Sequence, residues 1–319
     1  MSAAPVPAVI TGATATGKSA LAMALAQAYG AEIISMDSAQ VYRQMDIGTA
    51  KPSAQERAAV PHHLLDILDP AQRYSAARFV SDCRRLIAEI EGRGRPVLIV
   101  GGTNLYLRAL EQGLNALPSA DPELRLEISA QAEQQGWPAQ HRRLAELDPA
   151  AAERLHPNDG QRIQRALEIV LASGRQTAAH YAQPRTEALG RPLLKFAVMP
   201  PDRETLHRRI ATRFEQMMAK GLLDELRRLH ARDDLGMDLP SVRSVGYRQL
   251  WRHLDGELSE SAAVDAAIAA SRQFAKRQLT WLRSEPQLQR LNAADSALFE
   301  GVSAQLQAAG WRRKSPQGL

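Results

Sequence analysis

The sequence predicts an α/β fold, a P-loop NTPase-like parallel sheet flanked by helices and carrying a helical insertion. Three observations predict it. Short apolar runs that read as buried strands stand at "VPAVI" (6–10), "AEIIS" (31–35), "PVLIV" (96–100) and "KFAVM" (195–199). Helical patterns follow the first, third and fourth of them, the alternation that builds a parallel sheet. The first run leads straight into "GATATGKS", which has the G-x-x-x-x-G-K-[ST] spacing of a loop that holds linked phosphates.

That loop comprises Gly12, Ala13, Thr14, Ala15, Thr16, Gly17, Lys18 and Ser19. Its meaning depends on a strand before it and a helix after it. Both are present: "SALAMALAQAYG" puts Leu21, Leu25 and Ala28 on one face and ends at Gly30, a natural stop. Successive backbone N–H groups at a helix N-terminus form an anion hole for a diphosphate. Lys18 adds a point charge, and the Ser19 hydroxyl is placed to ligate Mg²⁺. Nothing in such a cradle demands a nucleotide.

The second strand runs into "MDSAQVYRQMDIGTAKP". In a parallel sheet the site lies at the carboxyl ends of the strands, so Asp37 is expected to face the loop. It reads either as a turn or cap residue or as a functional carboxylate. The third strand ends in "GGTNLY" with no carboxylate, so the metal-holding Asp usual in an ATPase is missing there. "GGTNLYLRAL" reads as a flexible turn and then a helix with Leu105, Leu107 and Leu110. Thr103 is either its N-cap or a substrate contact, and the two are compatible.

From residue 113 to 190 strand signals stop, and helices broken at "GWP", "LDP" and "LHPND" imply a helical insertion. The core is then 1–112 with 191–319. Within the insertion "NDGQRIQRALEIVLASG" runs from an Asn158/Asp159 cap to Gly174. Gln161, Arg165 and Glu168 share a polar face opposite Ile163, Leu167 and Val170. Beyond it, "DRETLHRRIATRFEQMMAKGLLDEL" is a long helix with an Asp202 cap, broken at Gly221. Arg213 is one of several arginines there.

Further on, "SRQFAKRQLTWLRS" puts Arg272, Lys276 and Arg283 within about 40° on a helical wheel, with Phe274 and Trp281 pointing the other way. A core-packed helix with a one-signed basic stripe suggests a phosphate-backbone partner. Before it, "RSVGYRQL" groups Arg243, Tyr247 and Arg248 around a Gly turn, which suits an RNA loop with unstacked bases. The C-terminal "RRKSPQGL" reads as a disordered tail.

Bulk properties bound the rest. At 319 residues, 45% apolar and 24% charged, the chain suits a soluble globular protein of one large or two small domains. No apolar run reaches membrane-span length, and "MSAAPVPAVI" lacks a signal-peptide pattern, so a cytoplasmic protein is expected. A single cysteine, Cys83, excludes internal disulfides and Cys-based zinc sites. His62 and His63 read as loop and packing residues, because no third ligand follows at zinc spacing. The net charge of +5 permits an acidic partner without naming one. Nothing signals oligomerisation, which leaves a monomer as the default.

Taken in order, "GATATGKSALA", "DSAQVYRQMDIGTAKP", "PHHLLDILDP", "GGTNLYLRAL", "QRIQRALEI", "RFEQMMAKGLLDE", "RSVGYRQ" and "KRQLTWLR" resemble the tRNA dimethylallyltransferases, or tRNA isopentenyltransferases, over about residues 8–285. Two departures are minor: Ala13 stands where the family often has Pro, and Gln44 where it often has Gly. The resemblance implies transfer of a dimethylallyl group from dimethylallyl diphosphate to N6 of the adenosine just 3′ of the anticodon of tRNA. The loop would then hold a leaving group, with Mg²⁺ on Ser19 as cofactor. Asp37 would be the general base, and Lys18, Thr103 and Arg213 would contact donor phosphates or the reacting base.

The anticodon stem-loop would, by the same resemblance, be gripped by four segments and Arg125. These are Asp37, Ser38, Ala39 and Gln40; Gln161, Arg162, Ile163, Gln164 and Arg165; and Arg243, Ser244, Val245, Gly246, Tyr247 and Arg248. The fourth is Lys276, Arg277, Gln278, Leu279, Thr280, Trp281, Leu282 and Arg283. Two rival readings stand beside this one. A small-molecule or nucleotide kinase on the same fold explains the loop but neither the insertion nor the basic helix. A non-catalytic RNA-binding protein leaves the intact Lys18, Ser19 and Asp37 unexplained.

Overall fold

The computed structural model describes residues 4–118, 121–185 and 188–314. The chain divides into two compact units, one holding the chain up to Ala109 and from Gly190 onward, the other spanning Leu110–Leu189. The first unit begins with β1 (Ala8–Gly12), α1 (Lys18–Tyr29), β2 (Glu32–Ser35), α2 (Ala54–Ala59), β3 (His62–His63), α3 (Ala76–Gly92) and β4 (Val97–Gly101). Helix α4 (Asn104–Gln112) leads into the second unit, which holds α5 (Pro122–Gln135), α6 (Trp137–Leu147), α7 (Pro149–Glu153), α8 (Gly160–Ser173) and α9 (Thr177–Tyr181). The first unit resumes with β5 (Leu194–Met199), α10 (Arg203–Ala219), α11 (Leu222–His230), α12 (Tyr247–Leu254), α13 (Glu260–Ser284), β6 (Gln289–Asn292) and α14 (Leu298–Ala308).

Six strands form one parallel sheet in the order β3-β2-β4-β1-β5-β6. This is the expected P-loop NTPase-like α/β class. The four apolar runs are its central strands, buried throughout except at the two ends of β5, because helices cover both faces. The two edge strands escaped the sequence reading for opposite reasons. β3 is only two residues long, and β6 is polar because an edge strand faces water. β1 starts later than expected and runs through Gly12, held in register by parallel pairing of Gly12 with Val198 on β5.

Caps set the helix limits. Asp202 accepts from Thr205 N (2.7 Å) at the start of α10, and Asp159 from Arg162 N (3.3 Å) at the start of α8. Gly221, at φ 92°, separates α10 from α11, a left-handed position that Gly takes without strain.

His62 and His63 have structural roles. His63 Nε2 lies 2.7 Å from Glu32 on β2, and His62 Nδ1 lies 2.7 Å from the Val60 carbonyl. Burial opposes ionisation of Glu32, but hydrogen bonds from Arg93 and His63 outweigh it and hold the carboxyl below its usual range. Cys83 is buried in α3, and burial pushes its thiol up to about 12, so it is inert at neutral pH.

Three expectations need correction. The tail is docked as far as it is described: the Lys314 amide donates to Ala28 O (2.8 Å), and Arg313 pairs with Glu300 (2.7 Å). Residues 315–319 of that expected tail lie outside the described residues. "GGTN" is no flexible turn. A Cβ on Gly101 would lie 2.0 Å from Met36 O, and one on Gly102 would lie 2.5 Å from Gln278 Nε2, so both glycines are there for close approach. The third concerns α13, which buries Ala275, Gln278, Leu279 and Leu282, while Phe274 stays exposed beneath the Arg277 guanidinium, 5.9 Å from its ring centroid.

Gly101→Ala should therefore destabilise the protein by about 1–3 kcal/mol or more, because the clash is with backbone that cannot rotate away. Urea denaturation measures it; an unchanged midpoint would mean the two chain segments are not in rigid contact.

Candidate active site

All six strands point the same way, so the segments that follow β1, β2, β4 and β5 gather at one edge of the first unit. After β1 comes the phosphate loop. Thr16 is buried and donates its hydroxyl to Ala13 O (2.9 Å), which folds the loop back on itself. A Cβ on Gly12 would lie 2.7 Å from Val198 O and 2.8 Å from Thr16 Oγ1, so this glycine lets the loop leave the sheet. Gly17 caps α1 at φ 92°.

Lys18 reaches back along the loop, its Nζ 3.4 Å from Ala13 O. Its pKa is pushed down to about 8, first by desolvation, then by the Arg213 guanidinium, with Asp37 acting in the opposite direction. Arg213, on α10, donates to Thr14 Oγ1 (3.3 Å) and is itself lowered by burial against the pull of Asp37. Two cations are thus held close together and partly desolvated beside the loop, with one carboxylate in their field. Such a site is short of negative charge, which a diphosphate supplies.

After β2 comes the Asp37 turn. Asp37 Oδ1 accepts from Ala39 N (2.9 Å), so it is a turn residue, while its second oxygen takes no hydrogen bond among the described residues. After β4 comes Thr103, whose Oγ1 accepts from Ser38 N (3.1 Å). The hydroxyl is thus spent on fixing the Asp37 turn rather than on capping α4. Gln40 links this turn to the next loop, accepting from Ser35 Oγ (2.9 Å) and donating to Thr49 O and Ala50 O (both 3.3 Å).

A cavity of ≈ 1130 Å³ opens beside the loop, walled by Lys18, Ser19, Arg209, Arg213, Lys220 and Phe299 among others. Asp37 and Thr103 are not part of its wall. Sequence reasoning missed Arg209 and Lys220. Arg209 lies four residues before Arg213 and so shares its helix face, a signal available once Arg213 is chosen. The exposed Ser19 hydroxyl, at the second position of α1, fits as one ligand of a Mg²⁺ ion that the phosphates would bring. No cluster of three or more His, Cys, Asp or Glu among the described residues could hold a metal unaided.

The expected RNA-gripping residues divide by burial. On α13, Lys276, Arg277, Thr280 and Arg283 are exposed and Trp281 is partly so, whereas Gln278, Leu279 and Leu282 face inward. Around α12, Arg243 and Arg248 are exposed and Ser244 and Val245 partly so, but Gly246 is buried and Tyr247 is 1% exposed. Tyr247 donates its hydroxyl to the buried Glu225 (2.5 Å) and cannot stack on a base. In the second unit Gln161 and Arg162 are exposed, and Ile163 belongs to that unit's own core.

Arg125 forks onto Glu168 (2.7 and 3.0 Å), and Arg165 reaches the same carboxylate (3.2 Å). Gln164 donates to Arg125 O (3.2 Å) and Ser129 Oγ (2.8 Å). The polar face of α8 is therefore not simply solvated: Glu168 is 2% exposed and holds two arginines.

With this geometry, likeness to known proteins becomes informative. The family model described as IPP transferase matches residues 40–285, and one described as isopentenyl transferase matches residues 7–66. The chain belongs to the IPP transferase family. A tRNA dimethylallyltransferase of Bordetella petrii is 57% identical over 288 residues, covering 90% of this chain and 91% of the relative. The solved tRNA isopentenylpyrophosphate transferase of Bacillus halodurans superposes at a TM-score of 0.69 with 36% identity, over 96% of this chain and 98% of that one. A eukaryotic dimethylallyltransferase solved acting on tRNA gives a TM-score of 0.76 with 26% identity, over 98% of this chain and 81% of that one. Family membership makes the protein a transferase, and the kinase reading is not favoured.

The lowered Lys18 pKa has a measurable consequence. A diphosphate bound at the loop would select the charged ammonium, which the unliganded protein loses as pH rises through about 8. Affinity of the loop for an organic diphosphate should hold below that pH and fall up to about tenfold per unit above it. Lys18→Arg should abolish the inflection. Calorimetric titrations from about pH 6.5 to 9.5 read this directly, and a flat wild-type profile would remove Lys18 from phosphate binding.

Proposed function

We propose that this protein transfers a dimethylallyl group from dimethylallyl diphosphate to N6 of the adenosine 3′-adjacent to the anticodon of tRNA, releasing diphosphate. One observation carries the reading. A turn carboxylate, Asp37, lies in the same field as Lys18 and Arg213, so a proton acceptor stands beside a diphosphate cradle. β4 ends at Gly101 and continues into Gly102 and Thr103 without a carboxylate, and Asp202 after β5 is spent as a helix cap. A kinase needs a metal-holding carboxylate there; a prenyl transferase needs a base.

The adenine amine is a poor nucleophile, because its lone pair is delocalised into the ring. As N6 attacks C1 of the dimethylallyl group, the C–N bond forms and the C1–O bond breaks. The bonding pair leaves with the diphosphate, and the N6 proton passes to the Asp37 carboxylate. Lys18, Arg213 and the loop amides stabilise the charge that accumulates on the leaving oxygen. Mg²⁺ held by Ser19 and the phosphates would add to that stabilisation. Thr103 holds the Ser38 amide and so keeps the Asp37 turn at the edge. The target base reaches this edge only out of its stack.

The RNA would lie against exposed cations: Lys276, Arg277 and Arg283 on α13, Arg243 and Arg248 around α12, and Arg162 on α8. The likeness to proteins named for tRNA supports that partner, and single-stranded loops suit Arg-rich surfaces. A cytoplasmic, monomeric enzyme fits this reading, and no helix among the described residues is long and apolar enough to cross a membrane.

The decisive experiment incubates the protein with labelled dimethylallyl diphosphate, Mg²⁺ and unmodified tRNA, and expects label in RNA; its absence would sink the reading. Two variants dissect it. Asp37→Asn keeps the turn hydrogen bond to Ala39 but cannot take a proton, so the single-turnover rate should fall about 10²–10⁴-fold with both affinities changed only a few-fold. Near-normal rates, or recovery at high Mg²⁺, would show that Asp37 is not the base. Replacing Lys276 and Arg283 by Ala should reduce the salt slope of tRNA binding by up to roughly two units. An unchanged slope would mean that the basic face is merely solvated.

A further inference from the structure

Gln278 stands in a segment expected to touch RNA, yet it is 4% exposed and points into the protein. Its Oε1 accepts from Thr14 N in the phosphate loop (3.0 Å), and its Nε2 donates to Gly102 O at the end of β4 (2.8 Å). The orientation of the amide is fixed by its partners, since a backbone N–H needs an oxygen and a carbonyl needs an N–H. One side chain therefore joins the donor loop to the segment that carries Thr103. It does so from α13, whose outer face carries Lys276, Arg277 and Arg283.

We propose that Gln278 is a positioning residue that couples engagement of RNA by α13 to the donor affinity of the phosphate loop. The proposal rests on the functional reading above for the identity of the RNA and the donor. The Thr14 amide belongs to the run of N–H groups that cradles a diphosphate, and here it is committed to Gln278. A shift of α13 changes how that amide and Gly102 are held. A hydrogen-bond switch of this kind biases the loop between a state that offers the Thr14 N–H to a ligand and one that does not. By linkage, whatever tRNA does to donor affinity the donor does equally to tRNA affinity.

The test measures binding without turnover. Affinity for dimethylallyl diphosphate is titrated with and without saturating tRNA lacking the target adenosine, for wild type and for Gln278→Met. The Met side chain fills the same space without either hydrogen bond. The wild type should show a change in donor affinity of about fivefold or more on adding tRNA. In Gln278→Met that ratio should collapse towards one, with tRNA affinity within a few-fold of wild type.

Gly102→Ala places a methyl 2.5 Å from Gln278 Nε2 and 3.2 Å from Gly12 O and displaces the amide, leaving Gln278 itself intact. It should reproduce the loss of coupling. A ratio unchanged in both folded variants, or no ratio in the wild type, overturns the proposal. Because no prenyl transfer is read, failure of the proposed reaction would show in the labelling experiment and not here.

Discussion

Three absent methyl groups let this site exist. Gly12, Gly101 and Gly102 sit where β1 and β4 leave the sheet, and a Cβ at any of them would meet Val198 O, Met36 O or the Gln278 amide at 2.7 Å or less. The phosphate loop, the Asp37 turn and the Thr103 segment therefore pack with backbone close to backbone, and α13 joins them through the Gln278 side chain. Electrostatic interactions between partly desolvated groups grow steeply as separation and local dielectric fall. The mutual influence of Asp37, Lys18 and Arg213 follows from that tight nesting.

The same edge is braced by charges that have no catalytic part. Lys51 is buried between Asp46 (2.7 Å), Asp66 (2.5 Å) and the Tyr42 carbonyl (2.7 Å). Glu225 accepts from the amides of Asp46 (2.9 Å), Ile47 (2.8 Å) and Gly48 (3.2 Å) and from Tyr247. Between them they hold the "DIGTAKP" loop against Tyr42, Asp66 and α11. Buried charges satisfied in this way fix geometry more than they add stability, because removing one partner strands the other. Glu168, with Arg125 and Arg165, does the same work inside the second unit.

Much of this was legible in the sequence, and the failures share one cause. The central strands, the phosphate loop, the Asp202 and Asp159 caps and the Gly221 break are local signals, and each is present, the strand ends shifted by one or two residues. Burial of a polar side chain is a tertiary property with no local mark. Gln278 and Tyr247 carry the residue types of an RNA-facing surface and Glu168 that of a solvated face, yet their partners lie at residues 14 and 102, at 225, and at 125 and 165. Phe274 errs in the other direction: helical periodicity assigned it inward, while the buried face of α13 runs through Ala267, Ile268, Ala275, Leu279 and Leu282. Nor does "GG" distinguish hinge from contact, since only the neighbour's distance does.

The strand order also dictates how the chain must assemble. β1 lies between β4 and β5, and Ala8 pairs with Leu194, so the first strand stays open on one side until the entire second unit has been synthesised. The helices of that unit close on neighbours nearby in sequence, which is the fast regime of folding, whereas the sheet waits on distant pairings. On the ribosome the insertion would be complete while the phosphate loop still lacked the Val198 carbonyl against which Gly12 rests. The nascent chain thus carries an apolar strand with one unpaired edge until β5 emerges, the kind of edge that invites aggregation.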